Sequence, residues 1–387
     1  MGKLFTWVLI GLLLFTLPVF AQTDFNFNNT GNGARGAAMG YAFTGIADDA
    51  TAISWNPAGL TQLYAMEATV VGRVKAASVS YDNLPTDIET FEIEQKSQFQ
   101  LNFASFVVPF NTGGMNVDGG VAFRKYYDFA NEVTYTVMPT FGMESEFTET
   151  TEGGVNAISP SVGVKLTDLF SVGATLNILT GSVSYSEEGY DINSEYETDY
   201  SGMNIDVGFL AKISPQFSAG AKLTLPHTLK WENADGGSEI GLELPLFFAV
   251  GVAFRATDQF TLSADFQSRP FSGASLTIDD EKVEGFEIEN NLNSIHFGAE
   301  YLLTMGDVIV PLRAGFFTNP SLMTDAEDNQ IVENVFAFGG GLVMGNFIIN
   351  GSMEIGVDTH DEDWGYSDYV QYSGATARMT LGSTIHF

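Results

Sequence analysis

The stretch from Phe247 to Gln267, FFAVGVAFRATDQFTLSADFQ, contains two predicted β-strands joined by a tight turn. In its second half, large or apolar residues alternate with small or polar ones: Phe260, Leu262, Ala264 and Phe266 against Thr261, Ser263, Asp265 and Gln267. A period of two places these two sets on opposite faces of a strand. One face of the predicted sheet is therefore bulky and apolar, and the other is small or polar.

The same alternation recurs in fourteen segments of the chain. They lie near residues 63–81, 95–110, 115–129, 154–167, 169–182, 200–213, 216–230, 241–256, 259–274, 291–304, 307–318, 334–344, 346–357 and 373–387. Tight turns such as SPQ and TDQ stand at every second junction, and the other connections are long and acidic. Short turns at one end and long loops at the other are the layout of an outer-membrane barrel.

The last segment, ATARMTLGSTIHF, supports this interpretation. Its alternation ends in Phe387, and a C-terminal aromatic residue resembles the assembly signal of bacterial outer-membrane proteins. We therefore expect an all-β fold, in which residues 63–387 form a 14-stranded antiparallel transmembrane β-barrel. The barrel-assembly machinery would recognise it through Phe387.

The composition excludes several functions. A net charge of −32 disfavours binding to nucleic acid, because a polyanion is repelled by another. The chain has no cysteine and only four histidines, which leaves little material for disulfides or a metal site. No pattern of nucleophile, base and acid stands out. We expect neither an enzyme nor a cofactor or metal.

Residues 1–21, MGKLFTWVLIGLLLFTLPVFA, have the pattern of a secretory signal peptide. Lys3 precedes a long apolar run, and a small-residue cleavage pattern ends at Ala21. A membrane-anchoring helix is the alternative. With the barrel pattern, the signal peptide predicts a location in the bacterial outer membrane.

Residues 22–62 do not alternate and are rich in Ala and Gly. A barrel of fourteen strands is too wide to be filled by its own side chains, so we expect this segment to be a partly helical hatch in the lumen. Asn56 before Pro57 predicts a helix start. Arg35, Asp48 and Asp49 are expected to pair with lumen charges. The alternative is an extension outside the barrel.

The segments GARGAAMGYAFTGIADDATAISWNPAGL and LPLFFAVGVAFRATDQFTLSADFQ resemble the FadL/TodX family of outer-membrane transporters for hydrophobic compounds. The likeness covers nearly all of residues 22–387. It implies a hatch-plugged barrel for passive transport of long-chain fatty acids or similar molecules, which leave sideways at a kink in the third strand. Asn56, Pro57 and Ala58 match the family's hatch element, with a gating role, and the kink would fall at Gly119 and Gly120.

Two features refine this expectation. Connection 130–153 lacks the helical pair that builds the family's outer capture groove. A cargo carboxylate needs a cationic anchor, and the candidates are Arg124, Arg255 and Arg313, each of which has a structural ion pair as its alternative role. The expected partners are hydrophobic small molecules and outer-membrane lipid. The alternative function is a PorV-like protein-interaction barrel in type IX secretion.

Overall fold

The computed structural model describes residues 31–387 except 86–87, 113–114, 140–143, 190–191, 234–235, 364 and 366–368. The predicted signal peptide and hatch residues 22–30 lie outside the described residues. The chain begins with α1 (Ala34–Ala38), α2 (Ala52–Trp55) and a 3-10 helix (Pro57–Gln62). None of the helices in the described part of the chain is long and apolar enough to cross a membrane.

The remaining described residues form one antiparallel sheet with a short 3-10 helix, Phe271–Gly273, between two of its strands. The strands are β1 (Glu67–Asp82), β2 (Ile88–Gln95), β3 (Gln98–Thr112), β4 (Met115–Asp128), β5 (Asn131–Pro139), β6 (Ser145–Lys165), β7 (Phe170–Gly189), β8 (Ile192–Lys212), β9 (Phe217–Thr224), β10 (His227–Asn233), β11 (Ile240–Leu244), β12 (Phe247–Arg255), β13 (Phe260–Arg269), β14 (Ser275–Ile278), β15 (Glu281–Lys282), β16 (Leu292–Met305), β17 (Val308–Thr324), β18 (Gln330–Met344), β19 (Phe347–Glu362) and β20 (Val370–His386).

The sheet closes into a barrel because β1 pairs with β20 along its whole length, from Glu67 opposite His386 to Asp82 opposite Gln371. Several wall strands are interrupted. β2 continues into β3, β4 into β5, β9 into β10, β11 into β12 and β13 into β14. The two-residue β15 pairs only with β14 and is not part of the wall, so the described residues form fourteen wall strands. Closure joins the two ends of the sheet, so the backbone groups of the paired strands are satisfied without water. The predicted barrel and its strand number are confirmed.

The long connections are shorter than the sequence indicated. Residues 183–199 were expected to form a loop, but β7 and β8 stay paired as far as Gly189 opposite Ile192. Within 130–153, β5 and the start of β6 are also strands. In these segments the larger apolar residues, such as Val133, Tyr135, Val183 and Tyr185, are buried on the inner face, so the alternation is the reverse of that in the apolar wall. Their Thr and Tyr residues favour strands. The wall therefore extends beyond its apolar part at the long-loop end.

The two faces of the wall match the alternation of apolar and polar residues in 247–267. Val250, Phe254 and Phe266 point outward and are exposed, whereas Ser263 and Asp265 are buried on the inner face. An apolar outer surface around a closed sheet is the pattern of a barrel that faces lipid. The inner face is then free to hold the hatch and the polar groups.

Candidate functional site in the barrel lumen

The described part of the hatch, residues 31–62, lies inside the barrel. Phe43 and Trp55 are fully buried and pack with Val71, Phe103 and Val107 of the wall in one apolar cluster. Burial of large aromatic side chains is the main favourable contribution to such a contact. This confirms the expected position of the hatch in the lumen.

A belt of wall glycines receives the hatch backbone. A Cβ added at Gly173 would lie 2.5 Å from the Ala58 nitrogen, and one at Gly298 would lie 2.6 Å from the Met39 oxygen. Real Cβ atoms do not approach other atoms so closely. The same close approach occurs at the other members of this glycine belt, which are Gly163, Gly208, Gly220, Gly251, Gly315 and Gly339. The hatch therefore fits against the wall without intervening side chains.

Asn56 fastens the middle of the hatch. Its Nδ2 donates to the Thr44 oxygen at 3.0 Å and to the Phe209 oxygen of β8 at 2.9 Å. Its Oδ1 accepts from the Ala58 nitrogen at 3.2 Å, which caps the 3-10 helix that begins at Pro57. The predicted helix start is thereby confirmed, while the gating role of Asn56, Pro57 and Ala58 stays a prediction.

Arg35 is the main ionic contact between the hatch and the wall. Its guanidinium donates to both oxygens of Glu300 at 3.0 Å, and Arg313 Nε donates to the same carboxylate at 2.6 Å. Asp48 lies 2.5 Å and Asp49 3.6 Å from Arg35 Nη1. The two hatch acids thus pair with the hatch's own arginine, and only Arg35 forms the expected ion pair with the wall.

Other wall groups hold the hatch with hydrogen bonds. Asp265 accepts from the backbone nitrogens of Phe43 at 3.0 Å and Thr44 at 2.7 Å. Glu354 accepts from the Tyr41 hydroxyl at 2.9 Å. Buried carboxylates are stable only when such donors satisfy them. These acids therefore have a role in holding the hatch.

A polar layer lies farther along the wall strands, between the hatch and the long-loop end. Asp206 of β8 is its centre: it accepts from Asn177 Nδ2 at 3.0 Å and from Thr224 Oγ1 at 2.5 Å. Arg124 Nη1 lies 3.7 Å from the same carboxylate. Lys222 donates to the Ser54 oxygen at 3.0 Å, which joins this layer to α2 of the hatch.

Beyond the polar layer, aromatic rings form a continuous row across the inner wall. The ring centroids of neighbours in the row are 4.9 to 6.2 Å apart. The members of this aromatic row are Tyr126, Tyr127, Phe129, Tyr200 and Trp231. Buried Leu179 and Leu229 pack against the row, and Trp231 continues into a second apolar cluster around Phe247 and Phe271. The row and this second cluster form a continuous apolar region inside the described barrel.

The aromatic row starts at an opening in the pairing of the wall. The β3–β4 ladder ends at Phe103 opposite Arg124, and pairing resumes only at Gln95 opposite Val133, between β2 and β5. In the described part of the chain, residues 97–102 and 125–131 are not paired with each other, and we call this opening the wall gap. A register shift lies on each side of it, at residue 102 of β3 and at residue 126 of β4.

The wall gap does not lie at the glycines that the sequence indicated. Gly119 and Gly120 are paired with Val108 and Val107 on one side and with β6 on the other. The interruption begins after Arg124 instead, where the extra residue Tyr126 disturbs the β4–β6 register. The sequence signal for this position was the run YYDF at residues 126–129, which breaks the alternation.

The three candidate anchors lie in different places. Arg124 borders the wall gap, and its guanidinium lies 5.2 Å from the centroid of the Tyr126 ring. Arg313 is bound to Glu300 at the level of the hatch, and Arg255 is exposed at the short-turn end. Only Arg124 is therefore next to the aromatic row. Among the described residues, no group of three or more His, Asp or Glu side chains is suited to hold a metal ion.

Known proteins were compared with the chain at the level of sequence and structure. No protein-family model and no curated protein matches it. The P. putida toluene transporter TodX has a TM-score of 0.65 at 12% identity, over 92% of this chain and 99% of TodX. A Pseudomonas aeruginosa FadL homologue has a TM-score of 0.63 at 13% identity, over 92% of this chain and 98% of the homologue.

The Ralstonia pickettii toluene transporter TbuX has a TM-score of 0.57 at 14% identity, over 93% of this chain and the whole of TbuX. These structures match nearly full-length chains, so the likeness extends over the whole barrel. The resemblance found in the sequence is confirmed at the level of the fold. The chain therefore has the barrel fold of the FadL homologue and of the toluene transporters TodX and TbuX.

Proposed function

We propose that this protein carries out passive transport of hydrophobic molecules, such as long-chain fatty acids or small aromatic compounds, across the bacterial outer membrane. The observation that carries the proposal is the aromatic row, which joins the lumen to the wall gap. The exposed apolar surface of the wall supports a location in lipid. The similar structures include toluene transporters, which supports an apolar cargo.

The route follows from the hatch and the wall gap. The glycine belt and the buried aromatic contacts of the hatch block a straight path to the short-turn end. The wall gap offers a way out to the side, and Phe99 and Leu101 beside it are exposed on the outer surface. We infer that cargo enters from the long-loop end, rests on the aromatic row and leaves laterally into the membrane.

A cargo with a carboxylate would find cations beside the row. Arg124 Nη1 lies 3.7 Å from Asp206, and Lys222 interacts with both Asp206 and Asp265. The guanidinium of Arg124 offers a planar donor fork that fits a carboxylate. This donor geometry supports fatty acids among the possible cargoes.

Replacing Arg124 with Gln tests the site. The variant should bind a labelled long-chain fatty acid about tenfold more weakly, the loss expected for one charge-assisted hydrogen bond. It should bind the matching fatty alcohol as before, because the alcohol has no charge. Binding is measured by tryptophan fluorescence in detergent and uptake in proteoliposomes.

Arg255→Gln is the matched control, because it removes an arginine from the exposed short-turn end. Equal affinity of Arg124→Gln and the unmodified protein for the fatty acid would exclude Arg124 as the anchor. Absence of binding for both the acid and the alcohol in the unmodified protein would contradict the transport proposal itself.

A further inference from the structure

One hatch residue reaches into the wall gap. Asn32 is fully buried, and its Nδ2 lies 3.2 Å from the Asn102 oxygen and 3.4 Å from the Lys125 oxygen. Asn102 belongs to β3 and Lys125 to β4, so a single amide group bridges the two edges of the gap.

The two carbonyls lie where both strands are irregular. Residue 102 is the extra residue in the register shift between β1 and β3, where Val71 faces Phe103 and Gly72 faces Leu101. Lys125 is the last paired residue before the extra Tyr126 in β4. Buried carbonyls need a donor, and the Asn32 amide supplies one to each strand edge.

The rest of Asn32 is fixed by α2 of the hatch. Its backbone nitrogen donates to Ser54 Oγ at 3.0 Å, and its backbone oxygen accepts from Trp55 Nε1 at 2.8 Å. The Oδ1 atom is buried and has no hydrogen-bond partner among the described residues. Among the described residues, the side-chain amide of Asn32 therefore donates only to the two edges of the gap.

We propose that Asn32 is a gating residue that holds the wall gap closed, and that its withdrawal separates the edges of β3 and β4. A second bridge, from Gln100 Nε2 to Asp128 Oδ2 at 2.5 Å, crosses the gap without the hatch. Asn32, in contrast, belongs to the hatch, so a movement of the hatch would break its bridge and let the two edges of the gap separate. Its use in cargo release rests on the proposed lateral exit, but closure of the gap can be measured without cargo.

The absence of cysteine allows a direct test by thiol labelling. A cysteine is placed at Asn102, whose side chain is buried, and its reaction with a water-soluble maleimide is followed in the folded barrel. Adding Asn32→Ala should raise the labelling rate about tenfold, as expected when two neutral hydrogen bonds no longer oppose opening. Asn32→Asp keeps the side-chain size but cannot donate to either carbonyl, so it should have the same effect.

Thr61→Ala is the control, because it removes a hydrogen bond of 2.8 Å between the hatch and Ser171 on another wall strand. It should leave the labelling rate unchanged. An unchanged rate in Asn32→Ala would overturn the proposal, and so would a rise in Asn32→Ala that is missing in Asn32→Asp. Faster labelling without faster release of a labelled fatty acid would establish the closure and exclude the lateral exit, which separates the two proposals.

Discussion

The wall contains two kinds of glycine, which differ in whether there is room for an added methyl group. At Gly173 an added Cβ would lie 2.5 Å from the hatch backbone, whereas at Gly119 its nearest neighbour would be Phe110 at 3.7 Å. The first distance is prohibitive and the second is ordinary van der Waals contact. Glycines that look alike in the sequence therefore have different roles, and only those of the glycine belt set the fit of the hatch.

Gly173→Ala should loosen the hatch. The added methyl group forces the hatch or β7 to shift, at a cost of about 1–3 kcal/mol. We expect a lower midpoint of hatch release in a urea titration, followed by protease sensitivity of residues 44–62, and a higher ion conductance in planar bilayers. Gly119→Ala is the matched control and should behave as the unmodified barrel does. A larger effect in Gly119→Ala than in Gly173→Ala would contradict the role of the belt.

At the scale of elements, the regular parts of the wall were predictable and the irregular parts were not. Segments such as 247–255 and 260–269 have one apolar and one small or polar face, so alternation locates them. The extensions of β7 and β8 instead have their buried apolar residues, Val183 and Tyr185, on the inner face, so they do not continue the apolar outer pattern. The 3-10 helix was found because Asn56 and Pro57 carry local capping chemistry.

The predicted position of the wall gap was wrong, because the run at residues 126–129 marks only one of its edges and the rest depends on contacts between distant strands. Gly119 and Gly120 suggested a bend, since glycine weakens strands locally. In the structure both glycines stay paired, and the gap follows from register shifts at residues 102 and 126. Asn32, whose amide contacts both edges of the gap, is 70 residues from Asn102 in the chain. Such a contact leaves no local pattern.

Deleting residues 33–51 should open the barrel. The deletion removes α1 and the hatch segment that contacts Asp265, Glu300 and Glu354, and it leaves those acids facing an open lumen. We expect increased single-channel conductance and faster entry of small sugars into proteoliposomes. Retained heat-modifiable migration of the variant on gels shows that the barrel is still closed. Unchanged permeability of such a closed barrel would mean that this segment is not the plug.

As a whole, the molecule has two apolar surfaces that are separated by the wall. The outer one faces lipid, and the inner one is the aromatic row with its neighbouring cluster. Tyr127, Phe129 and Tyr200 are buried against their neighbours, whereas Tyr126 and Trp231 are only partly buried. Under the proposed function, cargo would cover the apolar surface that these two rings leave exposed.

The purified barrel should therefore carry hydrophobic molecules. Mass spectrometry of solvent extracts should detect them in the unmodified protein and about tenfold less in a Tyr200→Ala, Trp231→Ala double variant, which removes two rings of the aromatic row. Phe209→Ala removes an exposed outer ring from β8 and is the matched control. An empty lumen together with a co-purifying secreted protein would favour the protein-interaction alternative.

The glycine belt also bears on how the chain folds. β1 begins at Glu67, shortly after the 3-10 helix ends at Gln62, and the barrel is completed when β20 joins β1. This closing contact joins the two ends of the sheet and is the least local pairing in the chain, so it is expected to be slow. Since the belt leaves no clearance for a bulky segment to slide past, we infer that the hatch is already in place when β20 docks. The hatch thus acts as a template for the wall, and its variants should slow refolding as well as change permeability.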